Sequence, residues 1–297
     1  MPNLSNVVLG INHMFLYPQS MVDGDIHTRS LRELAVNPSV DALDCWVWAD
    51  HGNEELQILR ESGKVINYNI GDRFGEAPSF PASADANERA YALDRLRRES
   101  NFAMECGAKK IIFASGKGVK GDHKGSLQRF VEFVLTWSET LPKDICLCLE
   151  PTDCDIDKHF LLGALEDTVA CVEAIRKEGR NIGILLDMGH IPIMHETLAS
   201  AVEKTADVLE HIHLGNCVVK DPLHPLYGDK HPCWGEQGGE YDTQDGAEML
   251  QLLKKFGYFS RAYPQTVSFE MRTLPNMDAM ETTDYLCRWF RNEYRNL

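Results

Sequence analysis

The chain has no apolar run of about 18 residues or more, so nothing in it reads as a transmembrane helix. Its first residues, Met1-Pro-Asn-Leu-Ser-Asn6, lack the basic region, apolar region and cleavage site of a secretory signal, and a cytoplasmic location is expected. Basic charge is scarce as well. Thirty Lys and Arg stand against 45 Asp and Glu, a formal net charge of −15 that repels phosphate backbones and disfavours nucleic acid as a partner. The nine cysteines are scattered singly, apart from Cys146-Leu-Cys148 inside an apparent strand, and their expected role is apolar packing rather than zinc or redox chemistry. There is no internal repeat and no cluster of Pro and Gly to mark a boundary, so residues 1–297 read as one domain.

What the chain does contain is alternation. Eight apolar runs have strand character, at residues 7–12, 42–47, 65–70, 110–114, 145–150, 182–187, 208–214 and 266–270. Helix-like segments follow them at 26–35, 54–61, 84–106, 124–140, 160–177, 197–206, 244–256 and 279–292. Eight such repeats predict an α/β fold, a single (β/α)8 TIM barrel with a closed parallel sheet inside a ring of helices, and 297 residues suit it. Gly107, Gly179 and Gly257 sit where left-handed helix stops are needed. The interval from strand seven to helix seven, about residues 215–242, predicts a long loop rich in Pro, Gly, His and aromatics.

Four of the runs carry a metal-competent residue at their C-terminal end: Glu150, Asp187, His213 and Glu270. Singly, the carboxylates are as well explained by barrel-end ion pairs or helix caps, and the histidine by a satisfied core position. Together, after strands five to eight, they point to one divalent cation over the barrel mouth. Three carboxylates and an imidazole match Mn²⁺, Co²⁺ or Mg²⁺, with Zn²⁺ also possible. His190, in Asp187-Met-Gly-His190, is expected to contact substrate or a second metal, although a helix-capping role is the plain alternative. Asp229-Lys-His231 in the long loop looks like another ligand pair, and with His190 makes a possible second metal site; a Pro-bounded loop held by its own hydrogen bonds explains it equally well. Asn12 and His13 follow strand one, Trp46 and Trp48 surround the end of strand two, and Asn67 and Asn69 lie on strand three. Amides and flat aromatic surfaces of this kind suit carbohydrate, so Asn12, His13, Trp48 and Asn69 are expected at a substrate site, against core packing of the indoles.

On these residues the chain resembles, over about residues 7–292, the xylose-isomerase-like barrel superfamily of ketose 3-epimerases, hydroxypyruvate isomerases, inosose dehydratases and endonuclease IV-type apurinic endonucleases. The resemblance implies that Glu150, Asp187, His213 and Glu270 bind Mn²⁺ or a similar ion. It also implies that Glu150 and Glu270 are paired acid–base groups and that His190 contacts substrate. The segment His211-Ile-His-Leu-Gly-Asn216 departs from the epimerase pattern, which has an acidic residue and then a substrate-binding arginine. Here Asn216 is neutral, no Arg follows in the loop, and Lys220 or His224 would have to substitute. His190, Asp229 and His231 match the third-metal pattern of the endonuclease branch. Asn67, Asn69 and residues 111–116 supply none of its other histidines, and the charge of −15 argues against phosphodiester hydrolysis.

The expected function is therefore a metal-dependent isomerase or epimerase of a small sugar or hydroxyketone, working by glutamate-mediated proton transfer through an enediolate. The alternatives are a dehydratase or lyase acting on a keto sugar or keto-inositol, and a non-catalytic sugar-binding protein. Unphosphorylated sugars agree best with the acidic overall field. A homodimer is expected from symmetry statistics alone.

Overall fold

A computed structural model describes residues 6–71 and 80–297; residues 1–5, which carry most of the segment read above for a signal, lie outside the described residues. Eight strands pair in parallel, each with its sequence neighbour: Val7–Asn12 (β1), Ala42–Cys45 (β2), Val65–Gly71 (β3), Lys110–Ala114 (β4), Cys146–Glu150 (β5), Ile182–Asp187 (β6), Leu209–Gly215 (β7) and Gln265–Glu270 (β8). β8 returns to β1 and closes the barrel. Among the described residues eight helices form the outer ring: Gly24–Ala35, Gly52–Glu61, Ala86–Glu105, His123–Ser138, Leu165–Lys177, Leu198–Thr205, Thr243–Lys255 and Ala279–Asn296. Single helical turns at His13–Leu16 and His190–Ile193 follow β1 and β6 directly. No helix among the described residues is long and apolar enough to cross a membrane.

Local chemistry accounts for the helix limits. Asp242 and Asp278 each close a capping box, with Asp245 and Glu281 reaching back to the cap N–H. Gly107, Gly179 and Gly257 take φ of +76°, +75° and +81°, the left-handed stops their positions predict. On the last helix, Leu286, Cys287, Phe290 and Tyr294 form the buried stripe that faces the sheet.

The apolar core lies mainly between sheet and helices, whereas the barrel interior holds only a small separate cluster of Ile112, Cys146, Cys148 and Leu185. The rest of the interior is polar. Asp44, Asn67, His211, His213 and Ser268 are all fully buried there, and a Cβ on Gly10 would collide with the Ser268 side chain. Strand side chains alternate, so Cys146, Cys148 and Glu150 share the inward face, as do Leu185 with Asp187 and Ser268 with Glu270. A register shift between Ile184 and Leu185 leaves Glu210 as an extra residue and sets Asp187 beside His213. All nine cysteines are free; eight are buried and Cys154 is exposed.

Most boundaries shift by a few residues from the sequence reading, and two of the shifts have a specific cause. β2 stops at Cys45 rather than Val47, because the Val47 N–H leaves the ladder and donates to the Tyr68 hydroxyl at 3.3 Å. The helix expected from Phe160 starts at Leu165. Phe160, Leu161 and Leu162 instead belong to the loop before it, with their N–H groups on the carbonyls of Asp153 and Gly116 and on Ser115 Oγ.

Candidate metal centre

Glu150, Asp187, His213 and Glu270 each present one atom to a common point, all within 4.8 Å of one another. His213 Nδ1 lies 3.7 Å from Glu150 Oε1 and 3.4 Å from Asp187 Oδ2, and touches Glu270 Oε2. Three of the four are aimed by a hydrogen bond on their other polar atom. Asp187 Oδ1 accepts from the Gly189 N–H at 2.5 Å, Glu270 Oε1 accepts from Asn12 Nδ2 at 2.7 Å, and His213 Nε2 donates to Asp44 Oδ2 at 2.8 Å. What remains is Asp187 Oδ2, Glu270 Oε2 and His213 Nδ1, all buried and all without a hydrogen bond of acceptable geometry. Orphaned buried polar atoms are rare, and three converging on one point fit a cation that the protein holds there. The described residues thus contain a divalent-cation site of hard oxygen donors and one nitrogen, a set compatible with several ions.

Charge in the ion-free site has the same explanation. Burial pushes the Glu270 carboxyl up to about 8. Burial alone would favour the neutral imidazole at His213, yet Glu270, with Asp187, Asp44 and Glu150 around it, drives its pKa well above the usual histidine value. Protonation of His213 or Glu270 and binding of a cation are therefore alternative ways to balance these carboxylates. Beneath it, burial disfavours the Asp44 charge, but His211 and His213 donating to the same oxygen, at 2.9 and 2.8 Å, hold the carboxyl far below its ordinary range. Burial lowers His211 to about 4, so this ring is neutral near pH 7 and serves as a donor. Asn67 Nδ2 completes the support at 2.5 Å from Asp44 Oδ1.

A second polar group lies alongside. His190 Nε2 and His231 Nε2 approach one oxygen of Asp229 at 3.1 and 2.6 Å, while their Nδ1 atoms donate to the carbonyls of Pro151 and Glu270. Asp187, His190 and His231 also offer atoms within 4.8 Å of one another, so this group borders the first and shares Asp187 with it. His231 has φ +47°, a conformation unusual for a side chain this large. The loop after β5 holds the group in place. Asp153 accepts from the N–H groups of Asp155, Ile156, Asp157, Lys158 and His159, and Asp157 in turn accepts from Asp229 N–H and Lys230 Nζ.

Both groups open into a cavity of about 350 Å³ at the C-terminal end of the barrel, partly walled by Phe15 and Trp46. The structure brings Glu150, Glu270, His190, Asp229, His231 and Asn69 to its wall, with Asp187 and His213 buried directly behind. Asn12 is behind it too, orienting Glu270 rather than facing the cavity. His13 does not reach it. The chain turns into a helix at that residue, and the ring lies against Ser30 Oγ at 2.7 Å and His27. Trp48 packs on Trp46 and His27, and Trp46 is the indole that lines the space. Lys220 is paired with Glu240, and His224 stands near Glu236; neither lines the cavity.

The sequence reading missed Asp44, Lys158 and Arg272. A signal existed for Asp44, a charged residue inside the apolar run Ala42-Leu-Asp-Cys45, and for Arg272, two residues beyond Glu270. Lys158 had none, since its place depends on the folding of the Asp153 loop.

Among solved structures the chain is similar to an L-ribulose 3-epimerase (16% identity, TM-score 0.72, 98% of this chain and 95% of that one). It is also similar to the 3-keto-D-glucoside 4-epimerase YcjR of E. coli (15%, 0.67, 96% and 99%) and to the IOLI protein with a bound zinc atom (14%, 0.69, 98% and 99%). Identities this low establish a shared fold. No curated protein sequence matches it significantly. The family model describing the xylose isomerase-like TIM barrel matches residues 48–293, and the chain belongs to that family.

Proposed function

We propose that the protein is a divalent-metal-dependent isomerase or epimerase of a small sugar or hydroxyketone, Mn²⁺ being the favoured ion. The observation that carries this reading is the pairing of Glu150 on β5 with Glu270 on β8, two buried carboxylates at one cation site and on one cavity wall. The sugar epimerases among the similar folds agree with it. A divalent ion held by Glu150, Asp187, His213 and Glu270 would supply Lewis acidity for a carbonyl and its neighbouring hydroxyl, lowering the cost of removing the C–H proton from the hydroxyl-bearing carbon. One glutamate takes that proton and the other delivers a proton to the opposite face or to the adjacent carbon, giving epimerisation or isomerisation. Asn12, donating to Glu270 Oε1, keeps that carboxylate from turning away. His190 and His231, whose Nε2 atoms both meet Asp229 Oδ1, line the cavity where substrate would bind or hold a second cation with that carboxylate. A cavity of about 350 Å³ is of the size that suits a small molecule.

The test has two parts. Elemental analysis of protein purified without chelator should find about one Mn, Co, Mg or Zn per chain; two would assign the second to His190, Asp229 and His231. Ketoses incubated with the loaded protein in D₂O should gain deuterium beside the carbonyl, with product mass otherwise conserved. Loss of water would make it a dehydratase, and sugar binding without exchange a binding protein. Turnover retained in both Glu150→Gln and Glu270→Gln would sink the mechanism.

A further inference from the structure

Arg272 stands two residues beyond Glu270, where β8 ends. Its backbone N–H donates to the His231 carbonyl at 2.9 Å and its Nε donates to the Lys230 carbonyl at 3.0 Å. These two bonds fix the guanidinium on the cavity wall. Neither terminal nitrogen of the guanidinium has a hydrogen bond or a carboxylate partner among the described residues. The neighbouring cations differ: Lys158 Nζ lies 3.5 Å from Asp229 Oδ2, and Lys230 Nζ lies 2.8 Å from Asp157 Oδ2. A guanidinium held by Nε alone offers a planar fork of N–H groups, which matches the paired oxygens of a carboxylate or phosphate. Neutral polyols need no such group, and the half-buried Arg272 fork is free to pair with an anion that enters the cavity.

We propose that Arg272 binds an acidic group of the substrate, a carboxylate or a phosphate, so that the protein acts on acidic hydroxyketones. This rests on the enolising reading above for the rest of the substrate. The acidic overall charge does not oppose it, because a bound group meets the local wall, where the Arg272 fork has no carboxylate partner among the described residues.

The experiment compares D-fructose, D-fructose 6-phosphate and D-fructuronate, which share the hydroxyketone and carry at the far carbon an alcohol, a phosphate or a carboxylate. Dissociation constants are measured by calorimetry on the Mn²⁺-loaded protein, wild type and Arg272→Gln, and deuterium exchange is followed in parallel. At least one acid should bind about tenfold tighter than D-fructose to the wild type, as expected for a charge-assisted pair. Which acid gains identifies phosphate or carboxylate as the source. Arg272→Gln should abolish that preference and leave the D-fructose constant unchanged, with Arg272→Lys recovering part of it. Equal affinity for all three, binding of none, or an equal loss for all three in Arg272→Gln would overturn the proposal; the last would make Arg272 only a brace between β8 and the loop after β7. If the acid preference depends on Arg272 but no compound exchanges deuterium, the anion site stands and the enolising reading fails. If exchange occurs without acid preference, the reverse holds.

Discussion

Asp44 and His213 meet at 2.8 Å, Oδ2 to Nε2, in a fully buried position between β2 and β7. That contact puts the ring proton on Nε2 and leaves Nδ1 for the cation. Asp44→Asn replaces a purely accepting carboxylate with an amide whose NH₂ competes for the same space, so the tautomer is no longer imposed. Cation affinity should fall about 10–100-fold, the usual effect of losing such a supporting partner. Competition against a fluorescent chelator measures it, and an unchanged affinity would show that His213 is oriented by something else.

Stability should follow the ion. With three carboxylates converging, chelation leaves like charges confronting one another in a buried space. Cation at a hundredfold excess over its Kd should restore about 2.7 kcal/mol, seen as a rise of several degrees in melting temperature. Asp187→Asn removes a cation-facing carboxylate, so its melting temperature should show little response to chelator. A chelator shift of the same size in both proteins would rule this out.

Cation uptake should also release protons. Burial works against a charged His213, but Glu270 and the other carboxylates keep it protonated well above the normal range when no ion is bound. The cation needs the neutral ring, so affinity drops as pH falls. Calorimetric heats of Mn²⁺ binding at pH 7 in two buffers of unequal ionisation enthalpy should differ accordingly. Identical heats would mean that no proton leaves.

Acid should weaken the loop after β5 through Asp153. Burial would raise its pKa, but the backbone N–H groups led by those of Lys158, Asp157 and Ile156 outweigh that and bring it below the usual carboxylate value. A carboxyl depressed on folding contributes stability above its unfolded pKa of about 3.9 and loses that contribution as pH falls through the folded value. Asp153→Asn should therefore cost about 2 kcal/mol at pH 7 in urea unfolding. The gap from wild type should close in strong acid; a gap independent of pH would assign the cost to packing.

The barrel was legible because its strands are short aliphatic runs with a turn residue near each helix end, and because period-two counting back from Glu150, Asp187 and Glu270 puts each on the inward face. The ligands were legible for the same reason. Residues read near strand ends were harder. His13 and Trp48 lie one to three residues beyond their strands, where the chain has left the ladder and alternation no longer tells which way a side chain points. The apolar triplet Phe160-Leu161-Leu162 has the composition of a helix start, yet its backbone bonds go to Asp153, Gly116 and Ser115, partners that no local pattern reveals. Arg272 follows β8 and so falls outside the loop after β7, where the epimerase pattern carries its arginine.

The cation ligands are drawn from β5 to β8, and the one on β8 is steadied by Asn12 of β1, across the seam where the sheet closes. A ribosome delivers residue 12 well before residue 270. A growing chain can shape most of the ring while Glu270 is still unmade, but it has no complete ligand set to offer a metal until then. The four converging side chains therefore come together only once Glu270 has been made and β8 has paired with β1 across the seam.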